Sequence, residues 1–466
     1  MVKARYSKED VGAWVLMAVG SLLLLLVYRT PIFFLDSEGY MTLSQASWFS
    51  AETWRAIRTL GYPLVLKMAA PFAKDFGAAP IIHTLILFLG LAVFRKGWID
   101  VGVGKVRAAG AVAALLVGCA LSYYLRPDGI ETDAVAYYLE LAVIGSFLST
   151  LPRAATWRVW CAFSVFVFAM YQVRPAYLFM LAALPVLGFV CLAFVVTRSE
   201  YLKRRWNYLG RMVICLAVPL FLFCAFRYFV AGHFGLVSFG GTNSVGITGQ
   251  LLTAEMVPGF SEPARTFASR LLVLREAPEA NVPCGVDKWE SPVYGRVGVT
   301  VSMVGQRFNC TSWKAAIPLA KEMSGGDWVE ANRLMSSFSQ QVLLANPVRY
   351  FVWLAKTFGR SVMMTLGSDT FVFFVGVFVL CFLTLVAWKV TGRTWPKQFV
   401  LSEAGLRFFW LSTVVAFSVF AFQTSITILV EFPIDRYIDP AAALLPLVSV
   451  SLAQLVMEPV LVTRTR

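Results

Sequence analysis

The chain has 466 residues, 58% of them hydrophobic and only 15% charged, with a formal net charge of +14. Soluble domains carry roughly 25% charged residues, so this composition excludes a water-soluble enzyme, and the 15% aromatic content excludes a disordered chain. The basic residues are scattered between apolar segments rather than gathered into a patch, so the positive charge does not indicate a nucleic-acid partner.

Apolar stretches long enough to cross a bilayer recur along the sequence. A transmembrane helix needs about 20 such residues, and about ten stretches qualify. The sequence therefore predicts an all-α polytopic membrane protein with about ten transmembrane helices. The predicted spans are residues 11–28, 80–94, 108–125, 134–151, 157–172, 175–196, 212–230, 371–388, 408–430 and 438–457.

The loop charges predict the orientation of these spans. Lys3 and Arg5 precede the first span, which we interpret as an uncleaved anchor because no small-residue cleavage site follows it. Basic clusters after the second and sixth spans, at residues 95–96 and 198–205, indicate cytoplasmic loops. We expect a multi-pass protein of a bacterial cell inner membrane with both termini in the cytoplasm and with membrane lipids as partners.

Two segments between the spans are too long to be simple turns. The first long segment covers residues 30–79 and is expected to contain juxtamembrane helices; the second covers residues 231–369 and is expected to form a mixed loop domain. Amphipathic patterns predict helices at residues 261–276, 327–344 and 348–366. Both long segments are predicted to be extracytoplasmic, dividing the chain into residues 1–230, 231–369 and 370–466.

The first long segment carries the strongest chemical signal in the sequence. Two carboxylates, Asp36 and Glu38, lie within a few residues of the end of the first span, and Tyr40 comes two residues later. The segment then contains Arg58 and a Gly-Tyr-Pro sequence that includes Tyr62. Most carboxylates at a membrane surface are solvated loop residues, but here basic and aromatic residues accompany the pair.

This pattern resembles the first outer loop of the GT-C superfamily of membrane glycosyltransferases, in particular its protein mannosyltransferase-like and lipid A aminoarabinose transferase-like members. The matching strings are Asp36-Ser-x-x-Tyr40 and Arg58-x-x-Gly-Tyr62-Pro, with Arg174-Pro and Arg436-Tyr437 as further matches. Many relatives have adjacent acidic residues where this chain has Asp-Ser-Glu, so Glu38 is the alternative catalytic carboxylate to Asp36.

The resemblance implies transfer of a sugar from a polyprenyl-phosphate donor to an acceptor hydroxyl, on the extracytoplasmic side and with inversion. A lipid phosphate needs no proton to leave, so one carboxylate suffices as general base, and we assign Asp36 to that role. Cations must stabilise the phosphate. The candidates near the outer ends of spans are Arg58, Arg126, Arg174 and Arg436.

A second acidic loop is expected on the same side of the membrane as Asp36. Its carboxylates, Asp128, Glu131 and Asp133, are candidates to bind substrate or a divalent cation, although acidic residues also suit a helix N-terminus. Tyr40, Tyr62 and Tyr437 complete the substrate-binding candidates. No cofactor is required by this interpretation and no metal ligand is assigned, with a divalent cation left as an open alternative.

Other motifs are weaker. The two histidines have no cysteine partners at zinc-ligand spacing, and the glycine-rich stretch near residue 240 lacks the Gly-Lys-Ser/Thr of a phosphate-binding loop. Cys284 and Cys310 are predicted to form a disulfide in an oxidising compartment, with two buried thiols as the alternative. Glu140 lies within the fourth predicted span, where a carboxylate is costly and often functional.

Two other functions are compatible with such a membrane topology. A transporter or flippase would place its charges near the bilayer midplane on interrupted helices, whereas here they lie near the ends of the spans. A lipid-linked oligosaccharide ligase or polymerase would need a diphosphate donor. The sequence leaves open which sugar is transferred and whether the acceptor is a glycan, a lipid or a protein.

Overall fold

A computed structural model describes residues 8–34, 36–276, 307–390, 402–432 and 434–462. Within these ranges all regular secondary structure is helical apart from one isolated parallel β-bridge, which confirms the predicted all-α class. The helices in chain order are α1 (Lys8–Val27), α2 (Ser37–Gln45), α3 (Ala51–Arg55), α4 (Gly61–Ala69), α5 (Ala79–Asp100), α6 (Lys105–Leu121), α7 (Thr132–Thr150), α8 (Trp157–Val173), α9 (Met180–Val195), α10 (Arg198–Ala231), α11 (Gly240–Leu251), α12 (Ala264–Glu276), α13 (Ile317–Met323), α14 (Trp328–Ala345), α15 (Pro347–Leu366), α16 (Asp369–Val390), α17 (Glu403–Val430), α18 (Asp435–Ala442) and α19 (Leu445–Val462).

Six of the described helical stretches are long and apolar enough to cross a membrane. They contain α1, α5, α9, α10, α17 and the α18–α19 pair, and the bent pair α15–α16, with 57° between its arms, raises the number to seven. Helices lie at all ten predicted span positions, but α6 and α8 have 17 residues each and fall short of the length expected for a span. The polytopic architecture is confirmed, and the count of ten is not.

Helix α7 forms the centre of the bundle, since nearly all of its side chains are buried. It packs against α5 at unusually short range because glycines line the contact. A Cβ atom on Gly97 would lie 2.2 Å from the carbonyl oxygen of Gly145, and one on Gly90 would lie 2.3 Å from that of Tyr138. Small residues allow such backbone contact between membrane helices, so these glycines fix the position of α7.

The second long segment has its own hydrophobic core, formed by α11 to α14 and the helical turns between them. Phe338 lies at its centre, with its ring centroid 5.0 Å from that of Phe267. The regular secondary structure in the described part of this segment is all helical, and the three amphipathic predictions correspond to α12, α14 and α15. Cys284 lies outside the described residues, so its disulfide with Cys310 stays a prediction.

The predicted N-terminus of α14 is also observed. The side chain of Asp327 accepts hydrogen bonds from the backbone amides of Val329 at 2.8 Å and Glu330 at 3.2 Å. These bonds satisfy two of the amides that a helix leaves without intrahelical partners. The cap therefore fixes where α14 begins, next to a surface cleft described below.

Candidate active site

Backbone hydrogen bonds hold the beginning of the first long segment against the loop before α7. The amide of Ile32 donates to the carbonyl oxygen of Asp128 at 2.8 Å, and the amide of Ile130 donates back to Ile32 at 2.9 Å. The Ser37 hydroxyl then donates to the Ile130 carbonyl oxygen at 2.6 Å. This pairing places Asp36, immediately before α2, beside the N-terminus of α7.

The Gly-Tyr-Pro sequence places the other side of the site. The backbone of Gly61 lies directly against the C-terminal end of α8, where an added Cβ would be 2.4 Å from the carbonyl carbon of Gln172. Only glycine allows this approach without displacement of the backbone. Since Arg174 follows α8 and Arg58 lies three residues before Gly61, the contact brings the two arginines to the same end of the bundle.

Asp36 lies between two arginines from distant parts of the chain. Its Oδ1 accepts a hydrogen bond from Nη2 of Arg58 at 2.5 Å, and its Oδ2 accepts one from Nη1 of Arg436 at 2.7 Å. The side chain of Asp36 keeps 28% of its surface exposed, whereas each arginine keeps 17%. The carboxylate is therefore anchored on both oxygens and still reaches solvent.

Arg436 connects Asp36 to the buried acids at the start of α7. Its Nε lies 3.0 Å from Oδ2 of Asp133 and 2.9 Å from Oε2 of Glu131. Arg174 pairs with the other oxygen of Asp133 and donates to the Thr132 hydroxyl at 3.2 Å. We call the connected group the arginine–carboxylate cluster; it consists of Asp36, Arg58, Glu131, Asp133, Arg174 and Arg436.

Aromatic rings support the guanidinium groups. The guanidinium carbon of Arg58 lies 4.9 Å from the ring centroid of Tyr40, and that of Arg174 lies 5.4 Å from the ring centroid of Tyr437. Arg436 lies 6.0 Å from the same Tyr437 ring. Such contacts favour the cations and fix the planes of their guanidinium groups. The orientation of these arginines thus depends on aromatic rings as well as on carboxylates.

The ionisation of the cluster follows from burial and pairing. Burial opposes ionisation of Asp36, but the charges of Arg58 and Arg436 outweigh it and hold its pKa below the usual value. Burial, reinforced by the charge of Asp133, raises the pKa of Glu131 to about 9, so Glu131 is neutral at pH 7. Three guanidiniums then face two charged carboxylates, and the cluster carries a net positive charge.

An open cleft gives access to the cluster. Its volume is about 670 Å³, and it lies along α2, α3 and the loop that leads to Arg58. Both predicted acids of the first long segment, Asp36 and Glu38, contribute to its wall. The residues lining it are Asp36, Glu38, Gly39, Thr42, Leu43, Ala46, Ser47, Ser50, Glu52, Thr53, Ala56, Ile57 and Arg58.

Several predicted site residues lie outside the cluster. Arg126 stacks on Tyr28 and Tyr123, with its guanidinium carbon 4.7 and 5.3 Å from their ring centroids. The Tyr62 ring is completely buried, in edge contact with Tyr40 at 5.2 Å, so it supports the site from behind. Asp128 is also buried and contributes its backbone carbonyl to the pairing with Ile32.

The buried carboxylates at the start of α7 face guanidinium groups. The described residues contain no group of three or more His, Cys, Asp or Glu side chains arranged to hold a metal ion. Asp133 and Glu131 instead face the guanidiniums of Arg174 and Arg436. Deeper in the bundle, Glu140 accepts a hydrogen bond from the Tyr177 hydroxyl at 3.2 Å and is fully buried away from the cleft.

The structure adds two residues that the motif analysis did not assign to the site. Burial raises the pKa of Glu431 to about 8, although the nearby charges of Arg436 and Arg174 oppose this shift. The carboxyl group of Glu431 is therefore neutral at pH 7. The ring of Phe239 lies 5.5 Å from the guanidinium carbon of Arg58. Glu431 is only five residues from Arg436 in the sequence, whereas the contact of Phe239 depends on tertiary structure.

Comparison with known proteins gives little beyond this geometry. No family model matches the chain, and no curated protein sequence matches it. Among solved structures, the chain is similar to the crystal structure of ArnT from Cupriavidus metallidurans bound to undecaprenyl phosphate. The identity is 14%, with 97% of this chain and 78% of that chain covered, and the TM-score is 0.36. A similarity with so low a TM-score does not assign a function.

Proposed function

We propose that this protein is a GT-C-type membrane glycosyltransferase that moves a sugar from a polyprenyl-phosphate donor to an acceptor hydroxyl. The observation that carries the proposal is the position of Asp36, a solvent-accessible carboxylate held between Arg58 and Arg436 at the wall of a cleft. One carboxylate and several guanidiniums are what this reaction needs, since the leaving group is already a phosphate. Transfer takes place on the extracytoplasmic side of a bacterial inner membrane.

The cluster's arginines bind the phosphate of the donor. A sugar joined to a polyprenyl phosphate is a phosphodiester with one negative charge, which matches the net positive charge of the cluster. Arg58 lines the cleft, and both Arg58 and Arg436 contact Asp36, whereas Arg174 pairs with the buried Asp133. Arginine suits this role because its planar group donates two parallel hydrogen bonds to phosphate oxygens.

Donor binding also activates the base. In the structure the two arginines lower the pKa of Asp36 and make it a weak base. A phosphate that takes over hydrogen bonds from Arg58 and Arg436 removes part of that stabilisation, so the basicity of Asp36 rises when the donor is in place. Asp36 thus becomes an effective base only in the donor complex.

The transfer step is a single in-line displacement. The acceptor oxygen attacks the anomeric carbon of the donor sugar while its proton passes to Asp36. The bond between the anomeric carbon and the phosphate oxygen breaks, and the electron pair leaves with the polyprenyl phosphate, whose second negative charge the guanidiniums stabilise. Attack opposite to the leaving group inverts the anomeric configuration.

We propose that no divalent cation is required. Arg58, Arg174 and Arg436 occupy the end of the bundle where a metal would otherwise neutralise the phosphate, and they pair with the carboxylates that would bind it. The guanidiniums therefore supply the charge that a metal ion provides in other phosphate chemistry. Transfer is expected to continue in the presence of EDTA.

Measurement of transfer by the purified protein in nanodiscs tests the proposal. A panel of polyprenyl-phosphate sugars serves as donors, with membrane extract as acceptor, and donor binding is measured separately. We expect Asp36→Asn to lower transfer by about 10²-fold or more, since a positioned base contributes that much. Donor binding should be retained, because the variant frees Arg58 and Arg436.

Glu38→Gln is the matched control, as it neutralises the other carboxylate of the cleft wall. It should keep most of the transfer activity. Equal transfer by wild type and Asp36→Asn would contradict the role of Asp36, and a loss confined to Glu38→Gln would assign the base to Glu38. Absence of transfer from every donor, with folded protein, would refute the proposed reaction.

A further inference from the structure

A second cleft adjoins the one that contains Asp36. It has a volume of about 630 Å³ and lies between α3 and the helices of the second long segment. We call it the tryptophan cleft; its lining consists of Glu52, Arg55, Ala56, Ile57, Trp313, Ile317, Pro318, Lys321 and Trp328. Glu52, Ala56 and Ile57 line both clefts, so a bound molecule can extend from one into the other.

The lining combines flat apolar surfaces with a few polar groups. Trp313 keeps 41% of its surface exposed although it is a large apolar side chain. The Lys321 ammonium lies 5.1 Å from the ring centroid of Trp328, and within the described part of the chain it has no carboxylate partner. Glu52 and Arg55 stand on the opposite wall, where Arg55 forms a half-exposed pair with Asp327 at 3.3 Å.

Both walls are fixed before any ligand binds. Arg227, only 2% exposed, donates to the carbonyl oxygen of Trp54 at 3.0 Å and to the Ser238 hydroxyl at 3.1 Å. The indole nitrogen of Trp328 donates to the carbonyl oxygen of Ser238 at 2.7 Å. One buried arginine therefore connects α3, which forms one wall, to the ring that forms the other. Such preorganisation favours ligand binding.

Aromatic contacts also connect this cleft to the arginine–carboxylate cluster. The rings of Trp313 and Phe239 have centroids 6.3 Å apart, and the Phe239 ring lies 5.5 Å from the guanidinium carbon of Arg58. Contacts through Phe239 and Arg58 thus link the exposed tryptophan of this cleft to Asp36.

We infer that the tryptophan cleft binds the saccharide part of the acceptor. A pyranose ring has apolar C–H faces that pack on indole rings and a rim of hydroxyls. Those hydroxyls can donate to Glu52 and accept from Arg55 and Lys321, a combination of aromatic surface and few polar groups typical of ligand sites. A peptide bound by strand addition would instead need a strand edge, and none of the residues that line this cleft lies in a strand. This inference rests on the proposed function.

Saturation-transfer NMR on the full-length protein in nanodiscs tests the inference. The probes are maltotetraose and chitotetraose, each free and coupled to a lipid anchor, with a Ser/Thr-rich peptide of similar length for comparison. We expect both saccharides, free or anchored, to bind wild type. Trp313→Ala and Lys321→Gln should reduce the saccharide signal about fivefold or more, because each removes an exposed contact.

Two variants distinguish a loss of saccharide binding from general damage to the protein and from a loss of the proposed transfer reaction. Lys314→Gln makes the same charge change in the same helical region but lies outside the cleft lining, so it should bind saccharide like wild type. Asp36→Asn should lose transfer and still bind saccharide, so failure of the proposed chemistry would leave the binding result intact.

Three results would overturn the inference: binding of the peptide in preference to both saccharides, saccharide binding unaffected by Trp313→Ala and Lys321→Gln, or no saccharide binding at about millimolar concentration. Binding of the anchored probes alone also overturns it if the two variants do not change that binding. Binding of the anchored probes alone that both variants weaken supports it and identifies a lipid-linked acceptor.

Discussion

Replacement of Arg436 by lysine separates the charge of this residue from its geometry. One guanidinium reaches Asp36 through Nη1 at 2.7 Å and reaches Glu131 and Asp133 through Nε at 2.9 and 3.0 Å. A lysine ammonium is a single point charge and cannot bridge both sides. Arg436→Lys therefore keeps the net charge of the cluster and loses the connection between Asp36 and α7.

The magnitude follows from the bonds that are lost. A hydrogen bond to a charged group contributes about 1.5–3 kcal/mol, and Arg436 is mostly buried, so solvent screening reduces this value only in part. Loss of one such bond in the transition state should lower kcat/KM about 10- to 100-fold. We expect most of the loss in kcat, because the remaining cations still attract the donor.

Steady-state transfer kinetics in nanodiscs provide the measurement, with Arg126→Lys as the matched control. Arg126 was a phosphate-binding candidate on sequence grounds, but its guanidinium stacks on Tyr28 and Tyr123 instead of joining the cluster. The same substitution there should change kcat/KM by less than about threefold. Equal losses in the two variants, or full activity of Arg436→Lys, would refute the bridging role of Arg436.

Two further predictions concern the packing and the ionisation of the site. Gly61→Val should lower the free energy of unfolding of the detergent-solubilised protein by about 1–3 kcal/mol and reduce transfer, because the new Cβ would overlap the backbone of Gln172. Gly210→Val is the control, since no heavy atom lies within 4 Å of its Cβ. Equal effects of the two substitutions would contradict this packing role of Gly61. Donor affinity should fall as pH rises through about 9, where Glu131 ionises and cancels the positive charge of the cluster. Glu131→Gln, which imitates the neutral form, should bind donor with little such decrease; an identical pH profile in both proteins would exclude Glu131 as its source.

The sign of the Glu131 effect on stability follows from the same pKa. Its folded-state pKa of about 9 lies above the ordinary value of 4.5, so the folded protein retains a proton that the unfolded chain has already lost between these values. Stability from this group is therefore present below pH 4.5 and decreases as pH rises toward 9. Asp36 acts in the opposite direction, since its lowered pKa contributes stability that is lost as pH falls through that pKa.

The helices and the charged residues of the site could be predicted because both depend on local sequence. Apolar stretches of sufficient length place a helix at each predicted span, and polar breaks between them place the loops. Asp36 and Arg436 could be predicted because each lies within a few residues of a predicted span and within a short family-like string. The number of membrane crossings was harder to predict from the sequence. A helix such as α7 is buried within the bundle, and its apolar composition does not show whether it faces lipid or protein.

The contacts among the predicted residues could not be derived from sequence. Arg126 is the one cation of the four candidates that lies outside the family-like strings, but the contacts that keep it out of the cluster come from the tertiary structure. What separates them is backbone geometry far from the charges, such as the contact of Gly61 with Gln172. Local patterns identify which side chains can take part in catalysis, and long-range packing decides which of them meet.

The connection between the two clefts bears on how the donor sugar avoids reaction with water. An activated sugar beside an exposed base would react with water unless the acceptor arrives in place of that water. Phe239 contacts both Arg58 and Trp313, so one aromatic side chain separates an acceptor ring on the tryptophan from the arginine that releases Asp36. Donor binding at Arg58 and acceptor binding at Trp313 then meet at one aromatic side chain, and the base is activated where the acceptor hydroxyl is delivered.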